Sequence, residues 1–259
     1  MGAGDFEFKY RFWIFGAIFF VAFGSYNIDH INASQALIEG IGRVRDVSPE
    51  DWQYHLIFAI AALFCIGNAA VRTWGTAYLN PEVMVAGRLH TTRLVVDGPY
   101  RHVRNPLYFG NVLLAIGFGM MASRIGFLVL VLGVIGFNYR LIIREEAGIL
   151  ASQGGVYDAY RAAVPRLLPA LRPRVPSGNA TPNWTDGFLG EAFMWVLAAS
   201  VIAFAISLNL RIFFIVLASA YVVHALCYAV IKKRAKTTHG QLVQTESPPK
   251  QISQSNSSE

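Results

Sequence analysis

The sequence predicts an all-α integral-membrane helical bundle of about six transmembrane helices, with the N- and C-termini in the cytoplasm. Three observations predict it. Only 15% of the residues are charged against 54% apolar, where a soluble globular domain carries about 25% charge. Several apolar runs approach or reach the roughly 20 residues a helix needs to cross the hydrocarbon core. Eighteen Phe and 11 Tyr suit a lipid-facing surface with aromatic anchors at its edges. The same observations exclude a soluble domain, a disordered chain and a coiled coil.

The apolar segments fall at about residues 12–26, 55–74, 107–121, 125–143, 188–207 and 212–231. The second, fourth, fifth and sixth are long enough to span. The first and third are short and need tilt or snorkelling flanks. The first lacks a small-residue cleavage site and runs directly into Asn27, Asp29 and His30, which argues against a cleaved signal. Orientation follows from Lys and Arg, which accumulate on cytoplasmic loops. Loop two carries Arg88, Arg93, Arg101 and Arg104; loop four carries Arg144, Arg161, Arg166, Arg172 and Arg174; the last span is followed by Lys232, Lys233, Arg234 and Lys236. The intervening loops are poorer. Loops two and four then share the cytoplasmic face, and the net charge of +6 reports those loops and not a nucleic-acid partner.

Four units are expected: a core at 1–169 with its cofactor motifs in 83–169, a Pro-rich linker at 170–187, a C-terminal two-helix hairpin at 188–233, and a polar, disordered tail at 234–259. The two cysteines, Cys65 and Cys227, sit in apolar runs, which excludes a disulfide framework and a Cys-based zinc site. No histidine pairs with a second His or a carboxylate at ligand spacing, so no metal site is expected. No Asp, Glu, Lys or Arg lies at a span centre, which counts against a proton-coupled transporter.

The unusual chemistry lies in three blocks. The first is Asp97-Gly-Pro-Tyr-Arg-His-Val-Arg-Asn-Pro-Leu-Tyr-Phe-Gly110. Gly98-Pro99 signals a turn, and Asn105-Pro106 signals a helix start. A helix N-terminus beside Arg101 and Arg104 suits an anionic group; arginines meeting lipid headgroups would read the same way. The second block ends span four, Asn138-Tyr-Arg-Leu-Ile-Ile-Arg-Glu-Glu146. Arg140 and Arg144 share a helix face and repel, unless they snorkel or bind an anion. Glu145 and Glu146 stand at the negative end of a helix dipole, where a cation compensates. In the third block Gly154-Gly155 breaks the helix, and Tyr157, Tyr160, Val164 and Leu168 follow a helical spacing typical of a short interfacial helix.

Together these blocks resemble the membrane methyltransferases of the isoprenylcysteine carboxyl methyltransferase and phospholipid methyltransferase group, over about residues 83–169. The resemblance implies S-adenosylmethionine as cofactor. It also implies a cytoplasmic pocket closed by loop four and an amphiphilic or lipid-like substrate entering from the bilayer. Tyr100 matches the tyrosine of the family's turn; Asn105, Pro106 and Tyr108 match its His-Pro-x-Tyr block, with Asn in place of His; Glu145 and Glu146 match its glutamate pair. Thr92, Leu94 and Val95 match the stretch before the turn that contacts cofactor in relatives. The implied cofactor residues are thus Thr92, Leu94, Val95, Tyr100, Arg104, Asn105, Tyr108, Glu145 and Glu146, and the catalytic candidates are Arg140, Arg144 and Glu145. The isoprenylcysteine enzymes carry a substrate arginine four residues before the first glutamate; Leu141 stands there, with Arg140 and Arg144 as neighbours. The methyl acceptor is a prenylcysteine-like carboxylate, a phospholipid amine or a hydrophobic thiol. A double-bond reductase of the sterol type using NADPH is the second reading, and a small non-enzymatic transporter the third. Membrane lipids are expected partners, nucleic acid is not, and an oligomer is possible.

Overall fold

The computed structural model describes residues 2–45, 50–79 and 94–245, with side chains given except at 43–45 and 234–245. It is helical throughout, with no β-strand among the described residues. The helices are α1 (Asp5–Lys9), α2 (Arg11–Gly24), α3 (Ala33–Arg45), α4 (Asp51–Thr76), α5 (Pro106–Gly119), α6 (Arg124–Gln153), α7 (Gly155–Ala163), α8 (Trp184–Gly190), α9 (Ala192–Ser207) and α10 (Leu210–Thr245). Each expected apolar segment is helical. By length and composition α4, α6 and residues 210–233 of α10 can cross a membrane, and α8 with α9, bent by 61°, passes the same test only when the two are taken together. The 14-residue helices α2 and α5 are the two segments expected to be short. The chain is therefore an all-α membrane bundle. Helix α3 adds an element within the first loop, and α10 runs past residue 234 to Thr245.

Helix α4 is central, packed against α5 on one side and α8–α9 on the other; α6 packs on α5 and α2, and α10 on α9. Small residues let the backbones approach, as membrane helices require where lipid offers no hydrophobic drive. A Cβ on Gly117 would lie 2.5 Å from Cys65 Sγ, and one on Gly110 would lie 2.6 Å from Arg72 Cγ. Ala61, Ala115, Leu130 and Val201, none of them exposed, fill the centre.

Two polar fixtures hold the ends of the bundle. At one end Arg124 forks onto Asp29, which also accepts the Ile125 amide at 3.1 Å. The arginine bonds hold the Asp29 carboxyl down at about 2 against the opposing effect of burial, with the Ile125 and Ile31 amides adding to them. At the other end the proline-rich segment is threaded back over the turn before α5. Backbone bonds run from Arg104 to Pro165, Ala170 to His102, and Arg174 to Arg101, and from Asn183 to Ala77. Asp97 collects Ser177 Oγ and the amides of Gly178 and Ala180. Burial raises the Asp97 carboxyl, but these three bonds outweigh it and leave it below its ordinary value.

Candidate active site

The site is built where the turn, the start of α5, the end of α6 and helix α7 meet. The turn is a short 3-10 helix at Gly98–Arg101. Gly98 has φ +59°, and a Cβ there would lie 2.2 Å from the Tyr78 ring, so backbone conformation and space both require glycine. Pro99 fixes the next φ, and Tyr100 is turned inward and buried. The Tyr100 carbonyl accepts a 2.7 Å bond from Tyr160 Oη. Burial pushes the phenols of Tyr100 and Tyr160 above their ordinary range, and that of Tyr157 up to about 12.

Helix α7 is amphipathic: Tyr157 and Tyr160 are buried with Val164 against Leu94, Val96 and the end of α6. Leu94 thus supports the closing helix, and Val95 is half-buried beside it. Thr92 lies outside the described residues.

Asn105 caps α5 by position but not by side chain. Its amide nitrogen instead donates to Glu146 Oε1 at 3.1 Å and to the Arg166 carbonyl at 3.0 Å. One nitrogen with two hydrogens makes both bonds, which suits an asparagine here. Glu146 is buried and doubly paired: Arg166 lies 3.1 Å away, and Arg104 Nε lies 3.1 Å away without the alignment of a hydrogen bond. Arg104 also donates to the Arg161 carbonyl at 2.6 Å. Glu146 therefore ties α6, the turn and the segment after α7 together.

Glu145 differs. It is half-buried and takes a 2.9 Å hydrogen bond from Tyr108 Oη. No Lys or Arg among the described residues forms an ion pair with it; Arg11 acts on it as a nearby charge. A carboxylate withdrawn from water with one neutral partner is set up to receive a cation. Beside it, the first turn of α5 presents the amides of Leu107 and Tyr108, which no carbonyl within the helix can reach.

Arg140 and Arg144 stand on the neighbouring face of α6 and are held by α1. Arg140 forks onto Glu7 at 2.8–2.9 Å, and Arg144 pairs with Asp5 at 2.6 Å and bonds the Ala3 carbonyl. Tyr100, Arg104, Asn105, Tyr108, Glu145 and Glu146 are thus brought together, while the two arginines face the N-terminal helix.

A second group was not foreseen. Arg72 of α4 is bound by Glu191 through Nε at 2.6 Å and Nη2 at 3.1 Å, and Thr76 adds a 2.8 Å bond to the same carboxylate. Arg72 continues to Asn111 at 2.9 Å, and Asn138 donates to the Tyr108 carbonyl at 3.0 Å. Glu191 sits at the bend between α8 and α9. The signal in the sequence was an arginine and a glutamate, each inside an apolar segment and of opposite sign. The Tyr100 phenol lies within electrostatic reach of Glu191, Glu145 and Arg72, so the two groups adjoin. Among the described residues no three His, Cys, Asp or Glu side chains form a metal-holding group.

Fold and site define an α-helical membrane protein with a charged, tyrosine-lined centre at one end of its bundle. Residues 56–153 match the model of the phospholipid methyltransferase family, a family that is part of the isoprenylcysteine and phospholipid methyltransferase membrane superfamily. The chain is similar to the nickel-cobalt-cadmium resistance protein NccN of Alcaligenes xylosoxydans xylosoxydans, at 30% identity over 111 residues covering 43% of this chain and 52% of that protein. It is also similar to the cobalt-zinc-cadmium resistance protein CzcN of Cupriavidus metallidurans, at 28% identity over 134 residues covering 52% and 57% respectively. The chain spans about half the length of the curated relatives it matches. No solved structure matches it.

Proposed function

We propose that this chain is an integral-membrane methyltransferase that uses S-adenosylmethionine and methylates an amphiphile drawn from the bilayer. The site would face the cytoplasm, with both termini on that side. The observation that carries this reading is Glu145: a half-buried carboxylate bonded by Tyr108 and without an ion pair among the described residues, within the matched segment. The residues fit the cofactor's polar groups. Glu145 would hold the α-ammonium, the open amides of Leu107 and Tyr108 the α-carboxylate, and the faces of Tyr100 and Tyr108 the sulfonium. Leu94 and Val95 would border the cofactor from the segment before the turn.

When bound, the cofactor supplies an electrophilic methyl carbon. The protein's part is positioning and exclusion of water, because aligned reacting groups supply much of such a rate. Glu146, Arg104, Arg166 and Asn105 hold the turn against α6, and α7 closes over it with Tyr157 and Tyr160. An acceptor carboxylate needs no base. An acceptor amine or thiol would arrive deprotonated, its proton left to water, because Glu145 holds the α-ammonium and burial keeps the phenols of Tyr100, Tyr157 and Tyr160 neutral. An acceptor with an anionic headgroup would meet Arg140 and Arg144 by exchanging with Glu7 and Asp5. The relatives' names concern metal resistance.

The test is incubation of purified protein with radiolabelled S-adenosylmethionine and three acceptors: a prenylcysteine analogue, phosphatidylethanolamine and a long-chain thiol. Label in one acceptor, lost in Glu145→Ala and reduced in Arg140→Ala or Arg144→Ala, supports the reading. Protection by NADPH, with no response to S-adenosylmethionine, overturns it in favour of a reductase.

A further inference from the structure

We propose that Glu191, from the bend between α8 and α9 and outside the matched segment, is a positioning residue for the candidate active site. The inference rests on the methyltransferase reading for its ligand and on the polar chain between Glu191 and Glu145 for its geometry. Glu191 is 4% exposed and uses both carboxylate oxygens on Arg72, with Thr76 on one of them. The guanidinium so held points its remaining nitrogen at Asn111 Oδ1, 2.9 Å away, and towards the Leu107 carbonyl at 3.4 Å. Asn111 reaches Asn138 Oδ1 at 3.4 Å, and Asn138, fully buried, donates to the Tyr108 carbonyl at 3.0 Å. The hydroxyl of that same tyrosine holds Glu145.

Each link fixes the next because each is directional and none of the residues is exposed. An arginine fork on a carboxylate sets the guanidinium plane, where a lone lysine would not. That plane decides where Asn111 and the first turn of α5 sit, and the first turn carries both Tyr108 and the open amides. The surroundings are shaped to let the guanidinium through: Gly110 leaves room for the Arg72 side chain, since a Cβ there would lie 2.6 Å from Arg72 Cγ. Glu191 is the residue at the 61° bend between α8 and α9. The C-terminal hairpin is therefore part of the site's framework as well as a membrane anchor.

The experiment compares the parent chain with Glu191→Gln, Glu191→Asp and the double variant Arg72→Gln/Glu191→Gln. Three quantities are read in each: S-adenosylhomocysteine affinity by calorimetry, thermal midpoint, and hydrogen exchange of the amides at 109–111. Glu191→Gln is expected to weaken binding about ten-fold or more, as small displacements of positioned groups do, and to speed exchange at the start of α5. Glu191→Asp, which keeps the charge, is expected to recover part of the affinity. The double variant removes the uncompensated charge, so its midpoint returns towards the parent's while its affinity stays low; a merely structural pair would recover both. Parent-like affinity in Glu191→Gln and in the double variant overturns the proposal. If the parent itself binds no S-adenosylhomocysteine, the methyltransferase reading falls. The positioning claim is then decided by exchange alone, and unchanged exchange at 109–111 in Glu191→Gln overturns it.

Discussion

Replacing Glu146 with alanine should unseat the turn from α6, and the structure sets the size of the effect. The side chains of Glu146 and Arg104 are 9% and 8% exposed, so removing the carboxylate strands a buried guanidinium. Breaking a buried pair from one side costs about 3–5 kcal/mol. Arg104 keeps its 2.6 Å bond to the Arg161 carbonyl, which favours the lower end. Arg166 is 41% exposed and contributes no more than about 1 kcal/mol, because water screens it. A loss of about 3 kcal/mol corresponds to roughly 6–12 °C in Tm for a chain of this size. The molecule carries its own probe: Cys65 is fully buried in the core, so a thiol-reactive dye reports unfolding, with Cys227→Ser removing the half-exposed background thiol. Arg104→Met/Glu146→Met should recover most of the loss, since replacing both charges by apolar groups removes the stranded ion. A Tm change below about 2 °C in Glu146→Ala would mean that the ion group is not what holds the turn.

Gly98→Ala should destabilise the chain by at least about 1–3 kcal/mol, the cost of a strained backbone conformation alone, with the added collision against Tyr78; a parent-like melting curve would contradict it. Gly110→Ala should displace Arg72 and weaken S-adenosylhomocysteine binding in calorimetry, and parent-like affinity would contradict the crossing as described. The Asp29–Arg124 pair predicts a pH effect of definite sign. The folded carboxyl titrates at about 2, below the ordinary value near 3.9, so its stabilisation is present above about pH 4 and is lost as pH falls towards 2. The Tm difference between parent and Arg124→Gln should therefore shrink from pH 5 to pH 2.5; a constant difference would contradict the assignment.

Composition and apolar run lengths were enough to read the bundle, because lipid permits few alternatives to helices whose backbone bonds are satisfied internally. The short segments at 12–26 and 107–121 were legible as short for the same reason. Helix α3 was not read because its apolar residues are too sparse to form a run, although it buries Ile38. In the site, Asn105, Tyr108, Glu145 and Glu146 were each singled out by the resemblance, because the matching blocks keep their order and spacing, but their pairing was not legible. Nor was the division of labour between the two glutamates. Adjacent residues on a helix point about 100° apart, and only packing decides that Glu146 meets Arg104 while Glu145 meets Tyr108. Arg140 and Arg144 read as anion sites from their repulsion, whereas the partners that relieve it, Glu7 and Asp5, come from more than a hundred positions away. Arg72 and Glu191 were hidden similarly: each alone is a single charge in an apolar segment, and the fold alone pairs them.

On the proposed reading, Glu145 seats the charged end of S-adenosylmethionine. Calorimetric titration of the parent chain and of Glu145→Gln with S-adenosylmethionine measures it directly, with thermal midpoints recorded on both. Saturable binding with a rise in midpoint is expected for the parent, with loss of both in a Glu145→Gln chain that melts like the parent without ligand. Equal binding by the two chains, or none by either, would contradict it.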